Sequence, residues 1–144
     1  MSKVLLIEDE ADLLLIMNTT FLSEGFETIT AMSGDEGYDK AMEHNPDIIV
    51  SDVLMPRTNG LDLCKKLKAT AQFSNTPVIL VTALYKGKDY EEMAKTYGAD
   101  AVLSKPYEPT ELVGIARSLL TDKSKGKPET EDNDKKYPLD LSDA

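Results

Sequence analysis

Along residues 3–120 the apolar positions switch back and forth between two spacings, and each switch marks an element. Lys3-Val4-Leu5-Leu6-Ile7 is a short, nearly continuous apolar run that stops at acids, the pattern of a strand covered on both faces. From Ala11 to Glu24, Leu13, Met17 and Phe21 recur at helical spacing, and Gly25 stands where a helix C-cap belongs. Glu27 to Ala31 alternates as a strand. Ser33-Gly34-Asp35-Glu36 has the form of a capping box and predicts a helix to about His44, broken by Pro46. Asp47 to Ser51 is a third strand, again ending at an acid, Asp52. Asn59-Gly60 opens a helix through Leu67, and Pro77 to Val81 is a fourth, wholly apolar strand. Asp89 to Tyr97 is helical, with Tyr90, Met93, Ala94 and Tyr97 on one face and Gly98 at its close. Ala101-Val102-Leu103 is a fifth strand, and Pro109 opens a last helix reaching Leu120. Five strands alternating with five helices predict an α/β domain, (βα)5, whose five-stranded parallel sheet is doubly wound by helices on both faces.

The rest of the chain breaks this rhythm. Residues 121–144 hold seven acids, five lysines and two prolines, with no apolar periodicity before Tyr137. The expected organisation is a domain over 1–121 and a charged, flexible C-terminal tail over 122–144. Within the tail, Tyr137-Pro138-Leu139-Asp140-Leu141 has the form of a docking motif, although an ordinary terminus is the expected reading. The tail reads as too short and polar for a helix-turn-helix or a catalytic domain, and the expectation is either a protein that works alone through protein partners or a piece of a longer chain.

Charge narrows the partners. The chain carries 26 acids against 16 basic residues, a net of −10, and its only arginines are Arg57 and Arg117. A grip on nucleic acid or on an anionic membrane needs a basic surface, so neither is expected. One cysteine and one histidine exclude a disulfide framework and a zinc cage. No apolar run approaches the roughly 18 residues of a membrane span. The first strand meets Glu8 and Asp9 too early for a signal peptide, so the protein is expected in the cytoplasm.

In an open parallel sheet the site lies beyond the carboxyl ends of the strands, where strand order reverses. The first strand delivers Glu8 and Asp9 to that edge, the third Asp52, the fourth Thr82, and the fifth is followed by Lys105. Singly, each has a dull explanation as a cap, a strand end or a solvated lysine. Jointly they do not. Two carboxylates about 4 Å apart repel by about 4 kcal/mol at an effective dielectric of about 20, so three together call for a cation or a retained proton. The donors are all oxygens, which favours a hard divalent ion such as Mg2+. Carboxylate, divalent ion, hydroxyl and lysine together make a phosphoryl-transfer constellation.

Four runs carry a resemblance: Ile7-Glu8-Asp9, Asp52-Val53-Leu54-Met55-Pro56 with Gly60 eight residues after the Asp, Val81-Thr82-Ala83, and Lys105-Pro106-Tyr107. In this order and spacing they resemble the receiver domain of two-component response regulators, of the chemotaxis-regulator type, over about residues 3–120. The resemblance implies a flavodoxin-like fold with strand order 2-1-3-4-5. It implies Asp52 as phosphoryl acceptor, with Asp9 and Asp52 as metal-binding carboxylates and Glu8 acting on the Mg2+ mainly through water. The backbone carbonyl of Leu54 would complete the protein ligands, and Thr82 and Lys105 would contact the phosphoryl oxygens. The donor would be a phosphohistidine on a sensor histidine kinase or phosphotransfer protein. The output would be a switched contact with a downstream protein target, by a monomer or weak dimer. Such a domain supports its own phosphorylation and dephosphorylation without being an enzyme in the usual sense. His44, on a helix away from this edge, is expected to be a surface residue.

The sequence departs from the family pattern in places. Val102 stands where many receivers carry an aromatic residue. Leu54 and Leu84, two after the Asp and two after the Thr, are both apolar. Ala101 and Ile115 replace charges that one DNA-binding subfamily uses for its dimer. Rival readings fare worse: haloacid-dehalogenase-type phosphatases need Asp-x-Asp-x-Thr after the first strand, where Glu8-Asp9-Glu10 stands, and three acids there would repel a flavin phosphate. A receiver fold acting as an interaction module without phosphorylation is the remaining alternative, disfavoured because every acceptor, acid, Thr and Lys position is filled.

Overall fold

The computed structural model describes residues 1–83 and 87–124, with residues 87–91 and 122–124 described by their backbone alone. Strands β1 (Lys3–Ile7), β2 (Glu27–Ala31), β3 (Ile48–Asp52), β4 (Val78–Thr82) and β5 (Ala101–Ser104) alternate with helices α1 (Ala11–Ser23), α2 (Gly34–His44), α3 (Gly60–Lys68), α4 (Gly87–Tyr97) and α5 (Pro109–Ser124). All neighbouring strands pair in parallel, in the order β2-β1-β3-β4-β5. The fold is the doubly wound, flavodoxin-like one expected. The order reverses between β1 and β3, and that pair places the site.

Because strand side chains alternate between faces, an apolar run on a central strand feeds two cores at once. Leu5, Ile7, Ile49 and Leu80 point to one face, where Ala41 of α2, Leu63 and Leu67 of α3 and Ala94 of α4 cover them. Val4, Leu6, Val50, Ile79 and Val81 point to the other, beneath Leu14, Met17 and Phe21 of α1 and Leu112 and Ala116 of α5. The cores pack closely enough that a Cβ at Gly37 would collide with the Ile7 side chain.

The stop and start signals act much as their chemistry predicts. Ser33 Oγ accepts from the Glu36 N–H at 3.1 Å, and Glu36 reaches back to accept from the Met32 N–H at 2.9 Å. Asn59 Oδ1 caps α3 by accepting from the Asp62 N–H at 2.8 Å. Gly25 and Gly98 follow α1 and α4 with φ of 92° and 88°, conformations that L side chains resist. Gly60 lies so close to the end of β3 that a Cβ there would overlap the Asp52 carbonyl oxygen.

Several local expectations shift. Leu14, not Leu13, faces the core, because α1 turns Leu13 toward a groove described below. Asn45, in the left-handed region at φ 53°, ends α2 before Pro46 does. Helix α5 continues to Ser124, beyond the expected Leu120. Phe73, on a single 3-10 turn (Ala71–Phe73) between α3 and β4, is fully buried.

Candidate functional site

The pairing of β1 with β3 sets Ile7 opposite Ser51, so the next residues along each strand, Glu8 and Asp52, emerge side by side at the carboxyl edge. Both are buried, Glu8 to 2% exposure and Asp52 to 6%. The Glu8 N–H donates to the Ala31 carbonyl at 3.0 Å, which carries the β1–β2 ladder one step beyond Ile7. Asp9, half-buried, joins them: carboxylate oxygens of Glu8, Asp9 and Asp52 all lie within 4.8 Å of one another. On the far side of Asp52, the Val53 N–H donates to the Val81 carbonyl at 2.9 Å. Leu54 then leaves the sheet with its side chain 55% exposed.

Lys105 comes to the acids from the end of β5. Its ammonium donates to Glu8 Oε1 at 3.3 Å and lies 3.4 Å from Asp52 Oδ2. Its own N–H donates to the Thr82 carbonyl at 3.0 Å, and the Lys105–Pro106 peptide bond is cis. Thr82, the last residue of β4, is buried and pairs with Ser104, while Asp52 pairs with Val81 beside it. The strand ends therefore gather Glu8, Asp9, Asp52, Thr82 and Lys105 at one edge.

The electrostatics follow from the Lys105 ammonium set among the acids. Burial raises the Glu8 carboxyl above its ordinary 4.5; the Glu10 N–H, donating to Glu8 Oε2 at 3.1 Å, and Lys105 hold it back, while Asp52 adds to the rise. Burial likewise raises Asp52 above 3.8, opposed by Lys105 and by the Leu54 N–H, with Asp9 pushing upward. Burial lowers Lys105, but the Asp52 and Glu8 charges outweigh it and hold the ammonium above 10.5. Lys105 is cationic at any physiological pH. Tyr107, two residues on, is pushed up to about 12 by burial and by the same two acids. That phenol sits in the field of the site, which sequence spacing alone did not signal.

Other candidates fall elsewhere. His44 ends α2 beside Glu43, and its carbonyl accepts from Lys3 at the opposite edge of the sheet. Val102 is buried and shares a small void with Val53, Leu61, Thr82 and Met93, directly behind the site. Leu84 lies outside the described residues, as do the side chain of Tyr90 and residues 125–144. The fit to a hard divalent ion is good: among the described residues an all-oxygen donor set carries three carboxylates against the Lys105 ammonium. Among the described residues no helix is long and apolar enough to cross a membrane.

Comparison with known proteins identifies the family and the fold. The family model of the response regulator receiver domain matches residues 4–117. The chain is 35% identical over 121 residues to response regulator ArlR of Staphylococcus aureus, an alignment covering 83% of this chain and 53% of that protein. It thus spans about half the length of the curated relatives it matches. Among solved structures, the Francisella response regulator 1452 receiver domain is 32% identical at a TM-score of 0.79, covering 85% of this chain and 99% of that one. The chemotaxis response regulator CheY4 of Vibrio cholerae is 29% identical at a TM-score of 0.78, covering 83% and 98%.

Proposed function

Since the chain belongs to the response regulator receiver family of two-component signalling, we propose that Asp52 accepts a phosphoryl group from a partner histidine kinase or phosphotransfer protein, and that the modified domain switches its contact with a downstream protein. The observation that carries this reading is the position of Asp52: buried at the end of β3, within 4.8 Å of two further acids and 3.4 Å from the Lys105 ammonium. Glu8, Asp9 and Asp52, with the Leu54 backbone carbonyl, would hold Mg2+. When bound, the ion would neutralise the acids and hold a phosphoryl oxygen against the acceptor.

The chain's own groups account for the rest. An Asp52 carboxylate oxygen attacks phosphorus in line with the donor's P–N bond. The new P–O bond forms as the P–N bond breaks, and the departing imidazole keeps the electron pair and takes a proton from water. Catalysis here is positioning and charge neutralisation. Lys105 favours the ionised acceptor against the pull of burial, and after transfer its fixed positive charge meets the phosphoryl oxygens. The Thr82 hydroxyl supplies a further donor at the next strand end. Because Lys105 spans both acids beforehand, modification redistributes its contacts between Glu8 and the phosphoryl group. The setting is cytoplasmic, and turnover of the acyl phosphate is the domain's own. Incubation with acetyl phosphate and Mg2+, followed by intact mass, tests the reading. The wild-type chain should gain one phosphoryl group and Asp52→Asn none; equal labelling of the two would refute the acceptor.

A further inference from the structure

A groove of about 530 Å³ runs between α1 and the connection from β5 to α5. Leu13, Ile16 and Thr20 form one wall and Pro106, Tyr107 and Pro109 the other, over a floor of core side chains. Its lining is almost wholly apolar although it opens to solvent, and Ile16 is 49% exposed. Helix α1 explains why: Leu13-Leu14-Leu15-Ile16-Met17 is apolar on all sides, while the sheet takes only Leu14 and Met17. Ala83 and Lys105 also line the groove, so it shares Lys105 with the acid site.

We propose that this groove is the docking site of the chain's own residues 137–141. After Ser124 the sequence is charged and polar until Tyr137, and Tyr137, Leu139 and Leu141 are its only large apolar residues. Spaced two apart, they share one face of an extended chain, with Pro138 and Asp140 on the other. An extended segment with a three-residue apolar face offers the side chains that an open, apolar groove can cover. The tether permits it. Helix α5, of 16 residues, is about 24 Å long at 1.5 Å per residue, so its C-terminus lies about that far from the groove beside Pro109. The 12 residues 125–136 reach up to about 40 Å at roughly 3.3 Å each, enough to return along α5. Intramolecular tethering then raises the effective concentration of a short, individually weak motif at the groove. The charged linker 125–136 remains outside the contact.

The test uses the whole 144-residue chain throughout. Methyl-labelled wild type is compared by NMR with a Tyr137→Ser, Leu139→Ser, Leu141→Ser variant at two protein concentrations tenfold apart. The expected result is a set of methyl shift changes centred on Leu13, Ile16 and Leu112, the same at both concentrations. Ile16→Lys, which places a charge in the groove, should make the spectrum insensitive to the tail substitutions. Superimposable groove methyls in wild type and tail variant would overturn the proposal. Changes that grow with concentration would overturn it too, since the segment would then occupy the groove of a second copy. Acetyl phosphate labelling of the tail variant checks separately that Asp52 chemistry is intact, so failure here is distinguishable from failure of the proposed function.

Discussion

Replacing Asp52 by Asn should stabilise the chain when Mg2+ is absent. The Asp52 carboxylate lies within 4.8 Å of oxygens on Glu8 and Asp9, and 3.4 Å from the Lys105 ammonium. At an effective dielectric of about 20, each like pair at that limit repels by about 3.5 kcal/mol, and the lysine pair attracts by about 5 kcal/mol. Asp9 is half-exposed, so solvent screens its share and the pairwise terms nearly cancel. What remains is the cost of burying the charge, the largest cause of the raised Asp52 pKa. Asn keeps an oxygen for Lys105 and removes that cost, for a gain of about 1–3 kcal/mol, or roughly 4–10 °C in Tm. The pH dependence has a definite sign. Glu8 and Asp52 titrate above their ordinary 4.5 and 3.8 when folded. The native state therefore binds more protons than the unfolded chain between those values and the raised ones, and stability rises as pH falls through that window. Thermal melts in EDTA from pH 8 downward should show wild type approaching the Asn variant as acidity increases. Mg2+ should then raise the wild-type Tm in proportion to the logarithm of its concentration, and the variant's much less. An Asn variant melting at or below wild type in EDTA at pH 8 would refute the reasoning.

Lys105→Ala should move stability the other way, lowering Tm in EDTA because it leaves the acids without their ammonium, yet still fold. It should take up phosphate from acetyl phosphate while losing most of the structural response, read as the change in hydrogen exchange on labelling. Leu54 offers no polar group to orient an attacking water, so the acyl phosphate should decay slowly. Leu54→Asn, and Leu84→Glu beyond the described residues, should shorten its lifetime severalfold in a mass-spectrometric decay assay; equal rates in all three proteins would remove the idea. Val102 is small, β-branched and buried, so it cannot carry a large surface change to strand β5. Hydrogen exchange with the acyl-phosphate mimic beryllofluoride should therefore change in residues 83–97; changes confined to the strand around Val102 would contradict this.

What the amino-acid sequence determined by itself was local. The two apolar spacings, the Ser33 and Asn59 caps and the glycines after α1 and α4 follow from backbone geometry within a few residues, and the structure reproduces them. The chemical character of the site was also legible, since acids, a threonine and a lysine each follow an apolar strand. Their meeting was not local. Glu8 and Lys105 are 97 positions apart, and only the order β2-β1-β3-β4-β5 and its register bring their side chains to 3.3 Å. Burial of Glu8 and Asp52 is likewise a property of the packed sheet edge, and it raises carboxyls that an open chain would leave at ordinary values. The same holds for α1. Five consecutive apolar residues have no preferred face of their own, and the packing of α1 against the sheet and α5 chose Leu14 and Met17 for the core. That choice turned Leu13 and Ile16 outward into a groove, because a helix can bury only one face against a sheet.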